Sequence, residues 1–247
     1  MSSETSFAAR VAGPVGALGG AWFISPQAKA AAKILGVSGW PAYVRGRASA
    51  MGDVDAAVVA SVFGFFPAEL VEQWWAEPCE LDAAEVFDVY LEACRGWSRE
   101  HLDGMPDTER LVELLGRVER AADGTGAPLF AAWRKAPLPD DAPGAAGQLL
   151  MRLRELRGGQ HVMAVVACGL TPAEAMVSAP GGRAHAQFFG WEPQMLPEPN
   201  SLMARTRLRA ELLTDAINEQ AWSALDEGEQ DDVVRLLADA MTTAGLG

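Results

Sequence analysis

The stretch Arg152-Leu153-Arg154-Glu155-Leu156-Arg157-Gly158-Gly159-Gln160-His161-Val162 decides how the fold of this chain is interpreted. It predicts a charged helix, residues 148–157, that ends at the two glycines, followed by a second helix, residues 161–168, that begins at the histidine and is mostly apolar. Chemically reactive side chains that enter an apolar helix indicate a polar group facing a cavity. The sequence therefore places its best candidate site here, with His161, Arg154 and Glu155 as candidate catalytic residues.

The composition allows a substantial core in one large or two modest domains. Of 247 residues, 49% are hydrophobic and 21% are charged, and the formal net charge is −13. Because proteins that bind nucleic acids usually present a basic surface to the phosphates, this charge argues against DNA as a partner. A small molecule is the expected partner, and a homodimer is a possible assembly.

The sequence gives no positive sign of a cofactor, a metal or a membrane. Its three cysteines, Cys79, Cys94 and Cys168, lack the spacing of metal ligands, and no glycine-rich nucleotide-binding motif is present. Residues 11–24 are apolar but too few to span a bilayer, and no signal peptide precedes them. We expect a cytoplasmic protein that needs neither cofactor nor metal.

Apolar residues recur at helical spacing along most of the chain, and no stretch alternates as a strand does. The expected fold is an all-α, multi-helical bundle, with domains over residues 1–140 and 141–247. Residues 54–65 are expected to form a buried helix, residues 136–147 a surface loop, and residues 179–200 a mostly irregular segment. Thr171 and Glu174 predict a capping box at the start of a helix. Further helices are expected over residues 26–35, 67–75, 83–98, 107–123, 201–213 and 229–241.

Several short motifs together resemble a known family. They are Ser25–Ala30, Gly39-Trp40, Tyr43–Ala48, Phe63–Pro67, Pro128–Ala132, Leu153–Val162, Gly169-Leu170 and Glu174-Ala175. In this order they resemble a large, largely uncharacterised actinobacterial family of MarR-like helix-turn-helix proteins, whose members often lie among natural-product biosynthesis genes. The resemblance spans roughly residues 20 to 235 and implies a regulator that binds DNA.

The chain departs from this family pattern after Gly190-Trp191. A recognition helix cannot run through Pro193, Pro197 and Pro199, because each lacks an amide donor and clashes with the preceding turn. About ten residues separate Trp191 from the next helix, whereas a helix and a two-stranded wing need roughly thirty. We therefore expect a truncated or degenerate winged helix in which the half that reads DNA is missing.

The polar candidates each have a functional and a structural interpretation. His161 could be a general acid or base, or the first residue of a helix satisfied by a backbone group. Arg154 and Arg157 share a helix face and could bind an anion, or could form local ion pairs with Glu155 or other acidic residues. The resemblance groups Arg154, Glu155 and His161 as one unit.

Aromatic residues beside arginines give a second group of candidates for ligand binding. Trp40 and Tyr43 precede Arg47, and such a group suits a planar or anionic ligand, although both aromatics could equally lie in the core. Trp133 and Trp191 lie nearest the irregular segments and could line a pocket. Phe63, Phe65 and Phe66 are expected in the core.

Three functions are compatible with these features. The first is a cofactor-independent biosynthetic enzyme of secondary metabolism that cyclises, isomerises or eliminates within a helical cavity gated by residues 192–200. His161 would be its acid or base, and arginines would hold the substrate. The second is a MarR-like transcriptional regulator that binds DNA as a dimer, and the third is a non-catalytic protein that binds a partner.

Overall fold

The computed structural model describes residues 5–247 and contains thirteen α-helices and no strand in that range. The all-α prediction is confirmed. The helices are α1 (Phe7–Gly20), α2 (Pro26–Ile34), α3 (Trp40–Ala48), α4 (Ala56–Val62), α5 (Ala68–Ala76), α6 (Ala83–Leu102), α7 (Thr108–Ala121), α8 (Pro128–Trp133), α9 (Ala142–Ala167), α10 (Pro172–Ser178), α11 (Gly182–Phe188), α12 (Ser201–Trp222) and α13 (Glu227–Thr243).

Helix α9 is the central element of the fold. It has 26 residues, which makes it about 39 Å long. It packs against α1, α6, α7, α8 and α12, so its contacts reach both sides of residue 140. The largest apolar cluster joins α1, α7, α9, α12 and α13. The proposed division at residue 140 stays a prediction.

The predicted break in α9 at Gly158-Gly159 is wrong, because the helix runs through both glycines. A Cβ on Gly159 would lie 2.7 Å from the Cα of Ala127, so this glycine permits close packing against the segment before α8. The predicted loop over residues 136–147 is also too long. Asp141 caps α9 by accepting a hydrogen bond from the amide of Gly144, which starts the helix at Ala142.

Several local signals in the sequence are confirmed. Ser25 caps α2, and Gly36 follows that helix with a φ of +70°, which suits glycine. Thr171 and Glu174 form the predicted capping box at the start of α10.

The segment over residues 54–65 is less regular and less buried than predicted. Its helix, α4, covers only seven residues and packs mainly on α5 through Val59 and Ala60. Val58 is 45% exposed. The prediction failed because the whole apolar run was interpreted as one buried helix. The helix instead ends at Val62, and the chain continues as the aromatic segment Phe63–Phe66.

The N-terminal apolar stretch is longer than the sequence interpretation allowed. Helix α1 continues into a 3-10 turn, Ala21–Ile24, and residues Phe7–Ile24 are long and apolar enough to cross a membrane by length and composition alone. One face of the stretch, including Val11, Val15 and Leu18, is buried in the largest apolar cluster.

The end of α9 and the two short helices that follow it, α10 and α11, form a unit of three helices, which we call the three-helix unit. Helices α9 and α10 meet at 106° across the four residues from Cys168 to Thr171. Three residues then connect α10 to α11, and Gly181 among them has a φ of +88°. Such angles and turn lengths are typical of helix-turn-helix motifs.

Helix α11 corrects the expectation that residues 179–200 are mostly irregular. The prolines at 193, 197 and 199 lie after this helix and do not interrupt it. What the described part of the chain lacks is a hairpin wing, since residues 189–200 contain only a short 3-10 turn, Pro193–Met195.

Candidate functional site

A cavity of about 570 Å³ lies against the middle of α9. It brings together six of the predicted site residues from two distant segments: Tyr43, Arg47, Arg154, Glu155, Arg157 and His161. Because α9 is continuous, Arg154, Arg157 and His161 lie three and four residues apart on one face of the helix.

The centre of the polar wall is a buried ion pair between Arg47 and Glu155. The Arg47 guanidinium donates two hydrogen bonds to the carboxylate, Nε to Oε1 at 3.0 Å and Nη2 to Oε2 at 2.7 Å. It also donates to the Tyr43 hydroxyl, and it lies 4.7 Å from the ring centroids of both Tyr43 and Phe63. Burial, the largest single influence, lowers the pKa of Arg47, but the charge of Glu155, the nearby Tyr43 and the hydrogen bonds to Glu155 together raise that pKa above its ordinary value. Arg47 is thus permanently charged, and each of its three guanidinium nitrogens donates a hydrogen bond.

Arg154 shares the same carboxylate but keeps free donor capacity. Its Nη1 donates to Glu155 Oε1 at 3.2 Å, and its guanidinium lies 4.8 Å from the ring centroid of Phe23. Its side chain is 28% exposed, and within residues 5–247 it has no other acceptor. One carboxylate therefore serves two arginines, which leaves excess positive charge at Arg154.

Arg157 pairs with α12 rather than with Glu155. Its Nη2 donates to Glu211 at 3.2 Å and to Asp215 at 3.0 Å, while Arg207 bonds the other oxygen of Glu211. The Nε of Arg157 is buried and has no partner in the described chain. Of the ion pairs that the sequence offered for Arg157, the structure contains those with other acidic residues and not the one with Glu155.

His161 lies inside α9, so its interpretation as the first residue of a helix is wrong. Its Nδ1 is 2.9 Å from the Thr214 hydroxyl, which itself donates to the carbonyl of Ala210. The hydroxyl must then accept from His161, which puts the proton on Nδ1 and leaves the Nε2 lone pair as an acceptor. Burial lowers the pKa of His161, while Glu211, whose Oε1 is 3.8 Å from Nε2, partly opposes this.

The three predicted tryptophans do not line the cavity. Trp133 is fully buried, and its Nε1 donates to the Arg47 carbonyl at 3.0 Å, so it holds the α3 backbone in place. Trp40 donates to the carbonyl of Phe188, and Trp191 donates to the carbonyl of Phe65. All three tie neighbouring segments to the cavity wall.

The sequence interpretation predicted Tyr43 but missed four phenylalanines of the cavity wall: Phe63, Phe65, Phe66 and Phe189. The core positions predicted for Phe63 and Phe66 are confirmed, and both also line the cavity, whereas Phe189 was not considered. The ring centroid of Phe65 is 5.4 Å from that of His161. The motif Phe63–Pro67 was part of the family resemblance, and it could have indicated that Phe63, Phe65 and Phe66 belong to the site.

The three-helix unit presents a small polar surface at α11. Its exposed side chains are Ala184, His185, Gln187 and Phe188. Arg183 is not free to contact DNA, because it donates to the carbonyls of Pro193, Leu196 and Pro197 and pairs with Glu198. Residues 192–200 thus fold against α11, and none of them lines the cavity, contrary to the gating role proposed for them.

Exposed arginines follow on α12 beside this unit. Met203 packs against the apolar clusters that hold α10, which fixes the start of α12 there. Arg205 and Arg209, one helical turn apart, are exposed. Between residues 172 and 209 there are four arginines and three glutamates, so this segment does not share the acidity of the whole chain.

The cavity and the three-helix unit share part of a wall. Phe65 lines the cavity and also packs in both apolar clusters that hold α10. Phe189 lines the cavity and directly follows α11. A molecule in the cavity would therefore touch residues that position α10 and α11.

Comparison with known proteins agrees with this architecture. A helix-turn-helix family matches residues 8–245, and the chain belongs to that family. No curated protein and no solved structure matches the chain.

Proposed function

We propose that this protein is a transcriptional regulator that binds DNA through α10 and α11 and responds to a small molecule in the cavity. Membership of a helix-turn-helix family supports the DNA-binding part. The observation that carries the proposal is the shared wall. Phe65 and Phe189 line the cavity on one side and pack against the helices of the three-helix unit on the other. A ligand that shifts these rings would bias the position of α11.

Because the chain as a whole is acidic, DNA binding requires a surface patch that carries positive charge. We propose that α11 enters the major groove, with His185 and Gln187 facing the bases, and that Arg205 and Arg209 contact phosphates. A seven-residue helix reads few bases, which favours a homodimer on two half-sites. As part of the same proposal, the protein is a MarR-like member of the helix-turn-helix family. It acts in the cytoplasm and serves natural-product biosynthesis.

The double variant Arg205→Gln/Arg209→Gln tests the phosphate contacts. A duplex is first selected from a random pool by binding to the wild-type protein, and affinities are then measured by fluorescence anisotropy over a range of salt concentrations. We expect the double variant to bind more weakly and to lower the salt dependence of log K by about 1 for each arginine that no longer meets a phosphate. The matched control is Arg10→Gln/Arg120→Gln, which removes two exposed arginines from α1 and α7.

A second variant separates base reading from charge. Gln187→Ala should relax the selected sequence preference while leaving the salt dependence unchanged, since a bidentate amide contact to a base contributes about 1–3 kcal/mol of discrimination. If the selection enriches no sequence and both double variants bind like the wild type, the regulator proposal fails.

The biosynthetic enzyme has less support. Both oxygens of Glu155 accept hydrogen bonds from arginines, so this carboxylate is not available as a base. His161 Nε2 remains as an acid or base in the cavity, and the enzyme hypothesis stays a prediction that depends on it.

A further inference from the structure

We propose that the cavity binds an elongated, largely apolar carboxylic acid, with its carboxylate on Arg154 and a hydroxyl group at its other end on His161. This names the ligand class for the cavity of the proposed regulator. Only the effect of the ligand on DNA binding rests on the proposed function, because ligand binding itself is argued from the residues of the cavity.

The charge balance of the polar wall places the anion at Arg154. Glu155 neutralises one positive charge and is already engaged by two hydrogen bonds from Arg47. Arg154 makes a single bond to the same carboxylate and keeps its remaining donors free at the cavity surface. A guanidinium with free donors binds a carboxylate strongly, and it does so best where water is largely excluded.

The opposite end of the polar wall favours a neutral donor. His161 offers the Nε2 lone pair as an acceptor, and Glu211 lies 3.8 Å from that atom. Glu211 and Asp215 are balanced by Arg157 and Arg207, so this end carries no excess charge. It therefore offers no spare positive charge for a second anion, whereas a neutral hydroxyl can donate to Nε2.

The spacing along α9 sets the length of the ligand. Arg154 and His161 are seven positions apart, which corresponds to about 10 Å along the helix. Gly158 lies between them, and a Cβ on this residue would meet nothing within 4 Å, so the floor between the two polar ends is open. The other walls are mainly apolar and include Val15, Phe65, Leu129, Val162 and Met163. The volume of 570 Å³ lies in the range of small-molecule sites.

The test uses isothermal titration calorimetry on the full-length protein, without DNA, and three probes. They are 4-hydroxyphenylpropionate, its methyl ester, and 3-phenylpropionate, which lacks the hydroxyl. We expect the wild type to bind the hydroxy acid about tenfold or more tightly than the ester, because the ester removes the charge that Arg154 recognises. We also expect it to bind the hydroxy acid more tightly than 3-phenylpropionate.

Substitutions assign each end of the ligand. Arg154→Gln should abolish the preference for the acid over the ester, and Arg154→Lys should restore part of it. His161→Phe should abolish only the preference for the hydroxyl. Gly158→Met should weaken all three probes by filling the floor. Arg120→Gln, which removes an exposed arginine on α7, should bind like the wild type.

Two results would overturn this inference: equal binding of acid and ester by the wild type, or no saturable binding of any probe. Neither would bear on DNA binding, which is measured separately. Conversely, Arg154-dependent binding of the acid by a protein that selects no DNA would retain the ligand class and remove the regulator.

Discussion

At the scale of single residues, breaking the buried Arg47–Glu155 pair should destabilise the protein. Its two side chains are 9% and 2% exposed, so removing one partner leaves a buried charge without full compensation. We expect Arg47→Met to lower the free energy of unfolding by about 3 kcal/mol. The double variant Arg47→Met/Glu155→Leu should lose less than Glu155→Leu and Arg47→Met added together. Urea denaturation measures all three, and strictly additive effects would contradict the pair.

His161 gives the protein a predictable response to pH. Burial lowers its pKa in the folded state, and the charged groups that face it are Glu211, Asp215, Arg157 and Arg207. Below the ordinary value of about 6.5, the unfolded chain takes up a proton that the folded protein does not. The free energy of unfolding should therefore fall as the pH drops from about 6.5 toward the folded pKa, by at most about 1.4 kcal/mol per pH unit.

Denaturation of His161→Phe over the same pH range measures this contribution. The stability of the variant should be less sensitive to pH than that of the wild type. A His161→Phe slope equal to that of the wild type would show that the imidazole does not titrate differently on folding.

At the scale of elements, Gly158 and Gly159 in α9 form a matched pair. Alanine at 158 meets open cavity and should stabilise the helix by about 0.5–1 kcal/mol. Alanine at 159 collides with the backbone of Ala127 and should destabilise the protein by about 1–3 kcal/mol. Thermal and chemical denaturation of the two variants check the opposite signs. Stabilisation by both would mean that α9 does not pack closely on the segment before α8.

The same helix shows where local patterns were sufficient and where they failed. Caps at Ser25 and Thr171 were predictable because a cap depends on residues within one turn. The continuation of α9 through Gly158-Gly159 was not predictable, since two glycines end an isolated helix but can lie inside a packed one. Helix α11 was missed because the glycines and the proline next to its seven residues are typical of irregular structure.

At the scale of the whole molecule, the acidic total charge is a weak argument about DNA as a partner, and the prediction based on it stays a prediction. Net charge sums over the surface, whereas DNA meets only one patch of it. The arginines at 205 and 209 stand out only once the fold places the start of α12 beside α10 through Met203. The shared wall of Phe65 and Phe189 likewise appears only when segments 124 residues apart meet.

The sequence by itself determined the helical class of this protein, the approximate bounds of α2, α5, α7 and α13, and the shared helix face of Arg154 and Arg157. These follow from local periodicity, propensity and capping. Only the tertiary structure decided that Arg47 meets Glu155 across 108 residues of chain and that Thr214 fixes the tautomer of His161. It also decided that three tryptophans lie outside the cavity and hydrogen-bond to backbone carbonyls of neighbouring segments. Such contacts depend on how α3, α9 and α12 pack together, and packing joins residues whose spacing in the sequence carries no signal of their meeting.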